Sequence, residues 1–187
     1  MGSEKPQKRS QAPCVQVSIL RNVALDHIAK SHPKTDLWES VRMMILIGID
    51  TGVNTGFAVA IDHGDGKGGQ LNEVTSMTIT KAMTSVLALT WEHGKDNVRL
   101  FIEDARLRTW FTGGKEKAQG AGSVKRDASI WEQWCKENDL QYTMIHPKAN
   151  ATKYNANSFA RITGWMGRTN EHGRDAAMLV HRRRTKI

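Results

Sequence analysis

Cysteine is nearly absent from the 187 residues: Cys14 and Cys135 are the two. They lie far apart and lack the paired spacing of a zinc knuckle or of a small disulfide-stapled secreted scaffold, so both are expected to be free thiols in a reducing compartment. No stretch approaches the roughly 18 consecutive apolar residues that span a bilayer, which argues against membrane insertion. The amino-terminal stretch is basic from Lys5 to Arg9 but has no apolar run of the secretory kind, and a cytoplasmic location is the expectation. Acid is also in deficit. Against 27 Lys and Arg there are 19 Asp and Glu, a formal net charge of +8. That excess favours a polyanionic partner, because Lys and Arg release counterions when they neutralise phosphates. Nucleic acid leads, with a membrane surface as the competing polyanion. The remaining composition, 39% hydrophobic and 25% charged, is that of a chain able to bury one sizeable core.

Residues 1 to about 13 are polar, carry two prolines and show no hydrophobic period, as in a tail that cannot repay its ordering entropy. Val17, Leu20, Val23, Ala24 and Ile28 recur at helical spacing until His32-Pro33 closes the pattern, and a second short helical piece spans about Asp36 to Met43. Residues 1–43 therefore read as a tail and helical extension, and 44–187 as the main domain. That domain opens with MILIGID, a near-continuous apolar run of the kind found in a strand covered on both faces. TGVNTG turns the chain into FAVAI, and HGDGKGG turns it again into LNEVTSMTI, which predicts an antiparallel meander. A helix over Lys81–His93, facing inward through Met83, Val86, Leu87 and Thr90, leads to a fourth, buried strand, VRLFIE. A basic, glycine-rich loop is predicted between Arg108 and Lys125, then a helix over Asp127–Glu137 and a fifth strand over Leu140–Ile145. Helices over about 157–163 and from Asn170 to about Arg183 close the chain, the last with Ala176, Leu179 and Val180 inward.

Two of these strands end in acid. Asp50 closes a strand otherwise built of Met, Ile, Leu and Gly, and Glu103 closes one rich in Leu, Phe and Ile. Either alone fits a structural or capping role. Side by side on neighbouring strands they favour binding a cation, since like charges at that distance resist joint ionisation. His172 and Asp175 are three residues apart on the last helix, so both project from one face and can complete such a site. Their bland reading is a surface histidine and an acid placed favourably near a helix amino terminus. Glu171 is an adjacent alternative ligand whose direction differs from that of Asp175. Hydrolysis of a phosphodiester with two divalent ions needs this kind of donor set, drawn from separate elements and holding the metals about 3.5–4 Å apart.

The segments LIGIDTGVNTGFAVA, LFIEDARLR and HGRDAAMLV resemble the first hairpin, the fourth strand and the closing helix of the RuvC-type Holliday junction resolvases, within the RNase H-like nucleases. The run TGWMGRTNEHGRDAAMLVHRRR looks like the phage-encoded branch of that family, which would place the protein in a bacterial host's cytoplasm. The resemblance implies a mixed five-stranded sheet, three antiparallel strands followed by two parallel ones, flanked by helices. It also implies an acidic tetrad matched here by Asp50, Glu103, His172 and Asp175. With it come Mg2+ as the metal, two ions per site with Mn2+ able to substitute, a homodimer, and branched DNA as substrate. The DxGxxxG pattern also opens sugar-kinase and actin-like ATPases, but those need a second phosphate-binding domain for which 187 residues leave no room. The glycine-rich turn at 51–56 is therefore read as a tight hairpin bringing backbone close to the site.

Arg106, Arg108, Lys115, Lys117, Lys125 and Arg126 flank the glycine-rich stretch beyond Glu103, interleaved with Trp110 and Phe111. Basic groups can hold phosphates while rings stack on exposed bases; core packing or a dimer contact is the plainer reading of the two rings. The family carries a junction-opening aromatic nearer the Glu, at the spacing Arg106 occupies here. Lys148 and Lys153 resemble basic positions after the family's fifth strand and could hold the scissile phosphate, or be simply solvated. The run His181 to Arg184 reads as a solvated helix end or as further DNA contact. The leading expectation is a resolvase that nicks branched DNA symmetrically. Cleavage of RNA–DNA hybrids or flaps, and a non-catalytic branched-DNA-binding module, are the alternatives.

Overall fold

MILIGID forms β1, Met44–Asp50, and every one of its residues is buried. In a strand successive side chains alternate between faces, so Ile45, Ile47 and Ile49 enter one layer of core while Met44 and Leu46 enter the other. Both faces are thus covered, as the unbroken apolar run requires. The computed structural model describes residues 43–107, 115–150 and 153–185, and for 115–121 the backbone alone. The expected tail and helices of residues 1–42 lie outside them.

After β1 come β2 (Asn54–Asp62), β3 (Gln70–Thr78), α1 (Ile79–His93), β4 (Val98–Glu103), α2 (Lys115–Glu137), β5 (Tyr142–Ile145), α3 (Ala156–Thr163) and α4 (Glu171–Val180). The sheet runs β3-β2-β1-β4-β5. Its first three strands pair antiparallel; β4 and β5 join parallel to β1. This is the RNase H-like mixed sheet that the motifs imply. Side chains of α1 and α2, among them Val86, Trp131 and Cys135, pack against one face. α3 and α4 supply Phe159, Ala176, Ala177, Leu179 and Val180 to the other. Burial pushes the Cys135 thiol up to about 12, which makes it an inert core residue. Among the described residues no helix is long and apolar enough to cross a membrane.

Three local expectations need correction. The inward stripe of α1 is Ala82, Val86 and Thr90, with Met83 only partly buried and Leu87 43% exposed. Small Ala82 lets the helix lie close to the sheet, and the i, i+4 stripe through it rotates Leu87 outward. The predicted loop up to Lys125 is in large part helix, since α2 begins at Lys115. Lys, Glu, Ala and Gln are strong helix formers there and outweigh Gly120 and Gly122, each about 1 kcal/mol worse than Ala. The last helix ends at Val180, sooner than its composition suggests: His181 leaves helical geometry with ψ 124°, and Arg182 then adopts a left-handed backbone with φ 55°.

Candidate active site

The alternation that sends Met44 and Leu46 toward α4 also sends Gly48 and Asp50 there. On β4 the same rule turns Phe101 and Glu103 to that side. Parallel pairing of Ile49 with Ile102 sets Asp50 beside Glu103 at the carboxyl end of both strands. Both acids are buried, 8% and 5% exposed.

Glycine admits the helix that completes the site. A Cβ on Gly48 would lie 2.1 Å from the Ala176 carbonyl oxygen, and one on Gly56 would lie 2.0 Å from that of His172. Gly56 pairs with Asp50 across the β1–β2 hairpin. The TGVNTG turn therefore brings a strand without side-chain bulk beneath the first turn of α4, next to the carboxylate. Asn170 caps that helix, its side-chain oxygen accepting from the Gly173 amide at 2.9 Å.

His172 Nδ1 lies 2.9 Å from Asp50 Oδ2. With Nδ1 donating to the carboxylate, Nε2 is left with its lone pair on the open side, in the arrangement by which metal-binding histidines are commonly oriented. Asp175 sits one turn further along α4, and Lys153 Nζ lies 3.4 Å from its Oδ2. Burial, reinforced by the charges of Glu103 and Asp175 and opposed by the hydrogen bond from His172, pushes Asp50 up to about 6. All four expected ligands thus meet at one end of the sheet. They are not drawn tight: among the described residues no three His, Cys, Asp or Glu side chains are gathered into a ready cage. The Glu171 side chain is 64% exposed, and its carboxylate lies 4.0 Å from His172 Nε2.

Sequence reasoning missed Asn150. Its amide nitrogen lies 3.2 Å from both Glu103 Oε2 and the Asp175 carbonyl oxygen, tying together two elements that supply the acids. Its own Oδ1 is buried without a partner. Nothing in the loop sequence distinguishes Asn150 from its neighbours. Thr51 was also passed over; its hydroxyl donates to the Glu103 carbonyl at 3.4 Å.

The expected DNA-binding residues fare unevenly. Arg106 lies 2.7 Å from Asp104 and also pairs with Glu132 on α2, so its guanidinium braces the end of β4. The bonds from Arg106 hold Asp104 below the usual carboxylate range, and bonds from Lys136 and Arg106 together hold Glu132 down to about 2. Lys125 and Arg126 lie on α2; Arg126 is exposed, with Asp127 4.0 Å away. Lys148 is exposed on the turn after β5. Arg108, Trp110 and Phe111 lie outside the described residues, as do the side chains of Lys115 and Lys117. The expected solvated helix end is structured instead. Arg183 stacks its guanidinium 4.5 Å from the Phe101 ring centre, and its backbone bonds to Gly69.

The fold and the site define an α/β protein whose buried carboxylates collect at one end of a mixed sheet, under a helix that contributes a histidine and a further acid. No family model matches the chain, and no curated protein matches it in sequence. Among solved structures, T. thermophilus RuvC in complex with a Holliday junction substrate is 17% identical, over 74% of this chain and 91% of that one, with a TM-score of 0.45.

Proposed function

We propose that this chain is a metal-dependent endonuclease that resolves Holliday junctions and related branched DNA, as a phage-encoded homodimer using Mg2+. The observation that carries the reading is the meeting of Asp50, Glu103, His172 and Asp175, from β1, β4 and α4, at one end of the sheet. Their chemistry fits hard divalent ions, since carboxylate oxygens dominate and one imidazole nitrogen is available. The field fits as well, because Asp50 is buried within reach of two further acids, and His172 offsets burial and their charge only in part. Substrate choice is supported by the motifs shared with RuvC-type resolvases and by the net charge of +8.

Asp50, Glu103, His172 and Asp175 would hold two ions, which when bound supply an activated water and stabilise the leaving oxygen. Asp50 orients the His172 ring through Nδ1. Asn150 fixes the Glu103 carboxylate relative to α4. Lys153, beside Asp175, offers a cation to a phosphate entering the site. A two-fold junction suits a two-fold protein, with one site per subunit cutting one strand.

Cleavage of a synthetic four-way junction with Mg2+ tests this, set beside a linear duplex, an RNA–DNA hybrid and the Asp175→Asn protein. Paired symmetric nicks in the junction alone, lost in the variant, are expected. Cutting of the hybrid with the junction left whole would replace the resolvase by a hybrid nuclease. Junction binding without any cutting would reduce the protein to a binding module.

A further inference from the structure

At the other end of α4, a cleft of about 620 Å³ opens between the β2–β3 hairpin, the segment after α3 and the residues that follow α4. Lys67, Arg182 and Arg184 line it, beside Gly68, Gly69 and Trp165, and among the described residues no Asp or Glu does. Lys67 is partly answered by Asp65 at 3.2 Å. The two arginines carry the remaining charge. α4 has ten residues, so at 1.5 Å each about 15 Å separates this cleft from the carboxylates.

The cleft is held in shape. Gly69 donates to the Arg183 carbonyl at 2.9 Å, and Arg182 donates to the Gly69 carbonyl at 2.8 Å. Thr185 donates to Asp62 through its backbone at 3.1 Å and its hydroxyl at 3.0 Å, which pins the chain beyond Arg184. Arg182 itself occupies the left-handed region, where glycine or asparagine is cheaper by roughly 1 kcal/mol. A costly residue in a fixed turn calls for a reason outside stability. Here the reason is an exposed Arg182 side chain that lines the cleft together with the exposed Arg184, two guanidinium groups able to hold phosphate oxygens.

We propose that this cleft is a second phosphate-binding site, engaging the backbone of a DNA arm whose branch point lies at the carboxylate end. The inference rests on the nucleic-acid reading above, but its test is binding without cleavage, so the two fail separately. A fluorescently labelled four-way junction is titrated with the full chain in EDTA at several salt concentrations. Arg182→Gly/Arg184→Ala is the informative variant, since glycine suits the backbone at 182 and protects the fold. Loss of two phosphate contacts is expected to flatten the plot of log affinity against log salt by roughly 2, at about 0.9 per contact. Arg182→Lys/Arg184→Lys should keep the slope. An unchanged slope in the Gly/Ala variant, with an unchanged melting temperature, overturns the proposal. Inorganic phosphate, followed through the Gly69 and Gly164 amide resonances, separates the remaining case: saturable shifts alongside an unchanged DNA slope would make the cleft a small-phosphate site and also overturn it.

Discussion

The two faces of the sheet are made from the same strands and differ completely in what they tolerate. Under α1 and α2, β1 contributes Ile45, Ile47 and Ile49, and Trp131 fills the layer without exposure. Under α4 the alternate positions read Met44, Leu46, Gly48 and Asp50, grading from apolar through bare backbone to charge. One face is built to be filled and the other to be approached. A chain that buries acids must concentrate its stability elsewhere, and the α1/α2 face is where it does so.

The sharpest way to break that contrast is to fill the approached face. Gly48→Val sets a side chain against the backbone of α4, 2.1 Å from the Ala176 oxygen at its first carbon. We expect the folded domain to be lost, read as absence of a cooperative melt; a melting temperature near that of the parent would refute the close approach. Emptying the filled face is next. Trp131→Ala should cost about 3–5 kcal/mol in chemical denaturation while leaving Mg2+ affinity alone, and a change in affinity instead would mean that the faces are coupled.

Asn150→Ala should weaken Mg2+ or Mn2+ binding by roughly 10–100-fold, as loss of a group orienting a ligand does. Asn150→Asp would leave an anion against Glu103 and rescue nothing. Titration calorimetry decides, and equal affinities in Asn150→Ala and the parent would remove Asn150 from the site.

Smaller and opposite in sign is Asp50→Asn. The folded protein raises this carboxyl, so its contribution to stability is complete below the ordinary value of 3.8 and is lost as pH rises through about 6. Removing the charge should therefore stabilise the protein in EDTA at neutral pH, by roughly 1–2 kcal/mol or a few degrees of melting temperature, while abolishing cleavage. A lower melting temperature would show that the bond to His172 outweighs burial.

Least in size is the Arg106 brace. Asp104 and Glu132 are held low, so their contribution is complete above the ordinary carboxylate range and is lost as pH falls through the depressed values, about 2 for Glu132. Arg106→Ala should be roughly 1 kcal/mol less stable at pH 7, with the gap closing in acid. A gap that stays constant with pH would mean that the side chain acts through packing alone.

Much of this was legible beforehand. Alternation and apolar runs specify β1, β2 and β4, because burial on two faces leaves few other sequences possible. Spacing puts His172 and Asp175 on one helical face whatever the helix packs against. Less legible was α2, where good helix formers surround two glycines and the loop signal misled. The direction of α1 was missed as well, since several stripes of that helix are apolar enough to face inward.

What the amino-acid sequence alone determined were the local periods, the acids placed at strand ends and the excess of positive charge, each of which acts through neighbours in the chain. Tertiary structure decided the rest. His172 meets Asp50 across 122 positions of sequence, and Asn150 reaches Glu103 across 47. Gly56 matters because a helix formed more than 100 residues later lies on it. Such contacts depend on register and on how closely backbone meets backbone, and neither is written in any local pattern.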